Sequence, residues 1–167
     1  MRDSRIKMFE YNGWSNNKVF EHLSSLPSSV LTKEIMSVFP TLKDVLVHIY
    51  VTDLGWLDAI KGQEDKDIEE LAKKVKNLAD TTNGKSLKEL RELYHSLHLE
   101  ILDEIENIDN LDGEVNVHFG YAKFSYIDIV NHIVNHGTYH RGNLTAMLRQ
   151  LGYSGCQTDY SLFLFEI

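Results

Sequence analysis

Apolar residues recur at spacings of three and four through four stretches of the chain, and proline, glycine or capping residues mark the breaks between them. The first stretch runs from about Ser4 to Ser25, with Met8, Tyr11, Val19, Phe20 and Leu23 on one broad side, and Pro27 stops it. Thr41 opens the second: its hydroxyl can cap free N–H groups, and Asp44 three residues on favours the positive end of a helix. Leu42, Val45, Leu46, Ile49, Trp56, Leu57 and Ile60 carry that period to Gly62, with His48 and Thr52 inside it. Ser86 begins the third, along Leu87, Leu90, Tyr94, Leu97, Ile101 and Ile105, ending near Asn110. Ser125 and Asp128 repeat the Thr41 and Asp44 pattern at the head of the fourth, whose face is Ile129, Ile133, Leu144, Met147, Leu148 and Leu151 and which meets Gly152 as a stop.

Two segments break the helical period. Lys61 to Lys85 is mostly charged and polar, with Asn83-Gly84 as a turn signal, and reads as a long connection holding one short helix near Ile68 to Leu78. Glu114 to Phe119 alternates polar and apolar before Gly120, which predicts a small strand or hairpin. The tail from Thr158 to Ile167 is apolar enough to pack against the helices. With 167 residues and 43% apolar content, the pattern predicts one all-α domain spanning residues 1–167 around a sizeable core.

Charge narrows the function classes. A net charge of -8 argues against nucleic acid as a partner, because phosphate binding needs clustered cations. The basic run Lys73-Lys74-Val75-Lys76 is short and flanked by acids, so it reads as a solvated helix face. Cys156, the only cysteine, excludes an internal disulfide; it lies beyond Gly152 and Gly155 with no base beside it and reads as an inert thiol. The N-terminal residues lack an apolar run of signal-peptide length, and no stretch approaches the roughly 20 apolar residues of a membrane span. The expectation is a cytoplasmic protein with no membrane partner.

The fourth helix contains NHIVNHGTYHRGN, which sets His132, His136 and His140 at successive four-residue steps. Residues four apart are rotated by only about 40° on a helix, so His136 and His140 share a face, and Ile133 and Leu144 share it too. Unpaired imidazoles turned toward a core are unfavourable, and a divalent metal resolves that, since neutral imidazole suits zinc, nickel, copper or iron. Two ligands make a weak site. His48, set among Val45, Ile49 and Thr52 on the second helix, is the candidate third ligand, because bundles build metal sites from facing helices. Spacing leaves open whether His132 replaces His140, and whether the rings are simply hydrogen-bonded core residues. Gly137 removes a side chain where another backbone or a bound molecule could approach. His22, His95, His98 and His118 read as polar-face or boundary residues.

HIVNHGTYHRGNLTAMLRQLGY, together with TLKDVLVHIYVTDLGWL, an early YNGW and a late TDY, resembles the DinB family of metal-dependent proteins, also called DinB/YfiT-like. The resemblance spans almost the whole chain. It implies a four-helix bundle in an up-up-down-down arrangement, with a divalent metal held by His48, His136 and His140 and with His132 outside the ligand set. One departure is Asn143, where the family often has glutamine after H-R-G. Relatives in this superfamily include thiol S-transferases that use bacillithiol or mycothiol and a mycothiol-dependent maleylpyruvate isomerase.

Three protein ligands leave coordination positions open, the arrangement of a catalytic metal, with zinc or nickel first among the candidates. The leading expectation is a metal-dependent S-transferase acting with a low-molecular-weight thiol of the bacillithiol type on a small electrophile. Metal-dependent hydrolysis is the alternative, and a non-catalytic metal-binding or interaction protein is the second class. Arg141, rotated about 100° from His140, reads as a structural salt bridge or interface contact. Asp53, Tyr50 and Tyr139 are candidates to border the pocket, with no general base named among them. A homodimer formed through an apolar helix face is a further expectation.

Overall fold

The computed structural model describes residues 4–63, 67–117 and 121–167. In chain order it contains α1 (Ser4–Ser24), a 3-10 turn (Ser28–Thr32), α2 (Leu42–Ile60), α3 (Ile68–Asn83), α4 (Leu87–Glu106), β1 (Glu114–Val117), β2 (Ala122–Ser125), α5 (Tyr126–Gln150) and α6 (Tyr160–Glu166).

The helix starts follow the capping chemistry. Thr41 Oγ1 accepts from the Asp44 N–H at 3.1 Å, and Ser125 Oγ accepts from the Asp128 N–H at 3.2 Å. Ser86 makes the reciprocal version, taking the Glu89 N–H while its own N–H donates to Glu89 Oε2 at 2.8 Å. Gly152, at φ +87°, takes the left-handed conformation that ends α5.

Two boundaries differ from the pattern. The long connection holds a full 16-residue helix, α3: Asp67 accepts from the Glu69 and Glu70 N–H groups and starts it, and the helix continues past Leu78 through the polar residues Asp80 to Asn83, which add nothing to the apolar spacing of Ile68, Leu71, Val75 and Leu78. Helix α4 ends at Glu106, short of Asn110, where the Asn107 N–H closes onto the Asp103 carbonyl. The alternating segment is one arm of an antiparallel hairpin, with Glu114 opposite Ser125 and Val117 opposite Ala122. Its His118 to Gly120 portion lies outside the described residues.

The four long helices touch in a ring, α1 to α5, α5 to α2, α2 to α4 and α4 back to α1. Their inward faces supply Phe9, Phe20, Leu46, Ile49, Ile101 and Ile133, all less than 2% exposed. Burying side chains of this size contributes about 1.5–3 kcal/mol each. Helix α3 lies on α2. Helix α6 folds the tail back onto α1, where the Phe163 ring meets Tyr11 and Trp14 and the Tyr11 hydroxyl donates to the Thr158 carbonyl at 2.7 Å. Among the described residues, no helix is long and apolar enough to cross a membrane.

Candidate metal centre

Helices α2 and α5 pack along their lengths, and the three histidines meet at that seam. On α2, Val45, Leu46, Val47 and Ile49 are buried, which holds the half-buried His48 ring against α5. On α5, Ile133 and Leu144 anchor the helix and carry His136 and His140, one turn apart, to face it. One nitrogen from each ring lies within 4.8 Å of the others. His48 Nε2 and His136 Nε2 are 3.1 Å apart. Donors on a tetrahedral zinc with bonds of about 2.0–2.1 Å sit roughly 3.3 Å apart, close to the separation of His48 Nε2 and His136 Nε2.

The rings are also in the protonation state a metal requires. Burial pushes His136 down to about 4, helped by the neighbouring His140, His48 and His132. Burial lowers His48, and burial followed by the neighbouring His48 lowers His140. All three are therefore neutral ligands near pH 7. Phe39 covers two of them, its ring centroid 5.2 Å from that of His48 and 5.5 Å from that of His140. It is presented by a loop closed by the Ile35 N–H donating to the Pro40 carbonyl at 2.9 Å. Tyr139 stands edge-on to His140 at 5.0 Å.

Two polar groups back the ligand rings. The Asn143 amide nitrogen, Nδ2, lies 3.2 Å from His140 Nδ1; for Nδ1 to carry the ring proton, as a ring bound to an ion through Nε2 requires, the amide turns over to present its oxygen. Asp53 Oδ1 lies 4.0 Å from His136 Nδ1, and both atoms are buried without a hydrogen-bond partner. Burial pushes the Asp53 carboxyl up to about 8 against the opposing charge of Arg141.

Arg141 is 3% exposed and lies at the α1–α5 contact. Its Nη1 donates to Asn12 Oδ1 at 2.6 Å and to Asn16 Oδ1 at 2.8 Å, and its Nη2 donates to Thr138 Oγ1 at 3.0 Å. These partners are neutral, so of the two roles expected for it, salt bridge or interface contact, Arg141 makes a contact between helices α1 and α5, with the Asp53 carboxyl further away. Gly137 has a related role. A Cβ there would meet Asn12 Oδ1 and Arg141 Nη1, so the missing side chain makes room for this amide–guanidinium contact and not for a backbone or a bound molecule.

His132 is exposed; its ring stacks on that of His136 with centroids 5.8 Å apart and meets Trp56 at a tilt, 4.7 Å away. Tyr50 is not brought to the cluster by a ring contact; it packs on Tyr94 at 5.9 Å. His98 stacks on Phe9 at 4.7 Å, and the His22 ring bonds the Ser154 carbonyl at 2.8 Å. Cys156 has only a 3.9 Å contact to the Gln157 carbonyl, and burial raises its thiol pKa, which suits an inert group. Two contributors had no periodic signal: Phe39, in an irregular loop, and Asn12, whose place in YNGW was visible while its partner was not. A cavity of about 390 Å³ opens on the other side of the ring of helices, between α1 and α4, lined by Gly13, Phe20, Arg91, Tyr94 and His98 among others.

Comparison with known proteins gives the family and the fold. The DinB family model matches residues 1–166. Protein DinB of Bacillus subtilis (strain 168) is 39% identical over 165 residues, 99% of this chain and 96% of that protein. The crystal structure of a DinB-like protein from Bacillus cereus ATCC 10987 superposes with a TM-score of 0.66, covering 92% of this chain and 94% of that one; at 18% identity it speaks for the fold alone. A helical fold of that shape and a sequence match along nearly its whole length place this chain in the DinB family.

Proposed function

We propose that this protein holds a divalent metal ion, zinc or nickel before other first-row ions, on His48, His136 and His140. We read it as a metal-dependent enzyme that joins a bacillithiol-type low-molecular-weight thiol, whole and through its sulfur, to a small electrophile. The single observation that carries this reading is the triangle of neutral imidazoles, with donor atoms within 4.8 Å of one another and contributed by two packed helices. A buried His136 Nδ1 without a partner fits a ring whose other nitrogen is meant for an ion.

An ion bound there would leave open positions and supply the Lewis acidity that favours a thiolate near neutral pH. In the transfer, the thiol gives its proton to solvent and its sulfur forms the new S–C bond. The leaving group departs with the electron pair of the bond that breaks. The chain's own part is to hold three neutral rings in place and to flank them with Phe39 and Tyr139, whose rings favour an electrophile with an apolar body. Cys156, with its raised pKa, supplies no competing nucleophile. The ring of contacts α1, α5, α2, α4 supports the up-up-down-down path, which sets α1 diagonal to α2.

A non-catalytic metal-binding protein is the second reading. It is favoured by Asp53, a carboxylate aimed at a ligand ring in a supporting position instead of an acid–base one. Elemental analysis of untagged protein purified without chelator separates the cases, with His48→Ala, His136→Ala, His140→Ala and His132→Ala alongside. Near-stoichiometric metal, lost in the first three variants and kept in the fourth, is expected. A wild type that carries none and cannot be loaded near neutral pH overturns the metal reading. With loaded protein, bacillithiol and a model electrophile should react faster than free metal plus thiol; an equal rate removes thiol transfer and leaves metal binding.

A further inference from the structure

The polar groups behind the histidines carry an inference that rests on the metal reading above and goes beyond its ligand set. We propose that Asp53 is a positioning residue: its carboxylate accepts the Nδ1–H of His136 and so holds that ring in the tautomer that presents Nε2 to His48 and His140.

The geometry carries it. A neutral imidazole has one N–H, so the nitrogen that binds an ion is decided by what the other nitrogen bonds to. His136 Nε2 is 3.1 Å from His48 Nε2, while His136 Nδ1 points the other way, into the interior. Four buried side-chain polar atoms among the described residues have no hydrogen-bond partner, and two of them, His136 Nδ1 and Asp53 Oδ1, face each other at 4.0 Å. Closing that gap to the roughly 2.7–3.2 Å of a hydrogen bond would satisfy both.

Asp53 is fixed for this task from behind. It is 5% exposed on α2, which also carries His48, so the same helix delivers one ligand and braces another from α5. Arg141 supplies the positive charge that offsets it, and Asn12, Asn16 and Thr138 pin that guanidinium in place. A carboxyl retains an acceptor oxygen whether or not it is ionised, so the bond to Nδ1–H needs no particular protonation state. Asp53 lies behind the His136 ring, 4.0 Å from its Nδ1, so it acts through that ring.

The test compares wild type with Asp53→Asn, which keeps an acceptor oxygen, and Asp53→Leu, which removes it. Histidine labelled with 15N reports the His136 tautomer without added metal and with zinc, and competition against a chromogenic chelator reports zinc affinity. Expected are a His136 proton on Nδ1 in wild type and Asp53→Asn, a mixed or Nε2-protonated ring in Asp53→Leu, and zinc affinity lowered about 10–100-fold in Asp53→Leu. Asp53→Asn should fall between the two in affinity.

The proposal is overturned if Asp53→Leu keeps both the wild-type tautomer and the wild-type affinity, or if wild-type His136 carries its proton on Nε2. Should Asp53→Leu fail to fold, an Asp53→Asn variant whose His136 proton has moved to Nε2 overturns it equally. If wild type binds no zinc, the metal reading fails by itself, and the tautomer comparison without metal still decides what Asp53 does.

Discussion

Gly137 and Asn12 fit together because one of them has no side chain. A Cβ at position 137 would stand 2.5 Å from Asn12 Oδ1 and 2.7 Å from Arg141 Nη1, whereas a Cβ at Gly142 on the same helix would meet nothing within 4 Å. Gly137→Ala should therefore destabilise the protein by about 1–3 kcal/mol, the usual penalty of overpacking. Gly142→Ala should stabilise it by roughly 0.5–1 kcal/mol through helix propensity. Urea unfolding of the two variants checks the contrast; equal effects would show that Asn12 and Arg141 yield easily.

Asp53 and two histidines set opposite pH slopes in the metal-free protein. His136 and His98 are held near 4 against an ordinary 6.5, so the unfolded chain binds their protons first and stability drops as pH falls from about 6.5 to 4. Asp53 is raised from 3.8 to about 8, so it stays protonated in the folded state while the unfolded chain ionises, and stability drops as pH rises toward 8. The two histidines outweigh the one carboxyl below pH 6.5, which places the maximum near that value. Urea midpoints at pH 5, 6.5 and 8 should show it, and Asp53→Asn should remove the alkaline decline.

Metal should stabilise the fold by mass action. At zinc concentrations of about 100 times Kd, the gain is about 2.7 kcal/mol. For a chain of this size that raises Tm by roughly 5–11 °C. Thermal unfolding with and without zinc measures it, and His136→Ala should abolish the shift, because two ligands hold an ion weakly.

The Phe39 ring lies against those of His48 and His140, and burial is the first cause of the depressed pKa of each. Phe39→Ala should move both upward toward the ordinary value of 6.5, read by NMR titration of the metal-free protein. Its effect on stability should be well below that of Ile133→Ala, a fully buried position where about 2–5 kcal/mol is expected. Unmoved histidine titrations would show that the helices alone dehydrate the rings.

Helix α3 provides a test of local stability. Its start depends on the Asp67 carboxylate, and Ile68 and Val75 on it are exposed. Asp67→Ala should cost about 1 kcal/mol and speed amide exchange in residues 68–83 without changing protection in α5. Uniform loss of protection would mean that α3 is cooperative with the core.

Much of this was legible along the chain because it is local. The three-and-four apolar spacing placed α1, α2, α4 and α5, and Thr41, Ser86 and Ser125 marked starts that their side chains do cap. The one-turn step from His136 to His140 put two rings on one face by helix geometry alone. Helix α3 shows its apolar spacing only from Ile68 to Leu78; its last turn, Ala79 to Asn83, adds no large apolar residue, so the pattern ends before the helix does.

The sequence by itself determined which residues are helical, which faces are apolar and which side chains are chemically able to bind an ion, since these depend on neighbours a few positions away. Only the tertiary structure decided that His48 reaches His136 across 88 positions, that Arg141 spans to Asn12 across 129, and that Asp53 faces His136 Nδ1. Those relations depend on which helices pack together and how each is rotated about its axis. Packing of whole faces settles that rotation, and a spacing rule along one helix carries no information about the helix opposite.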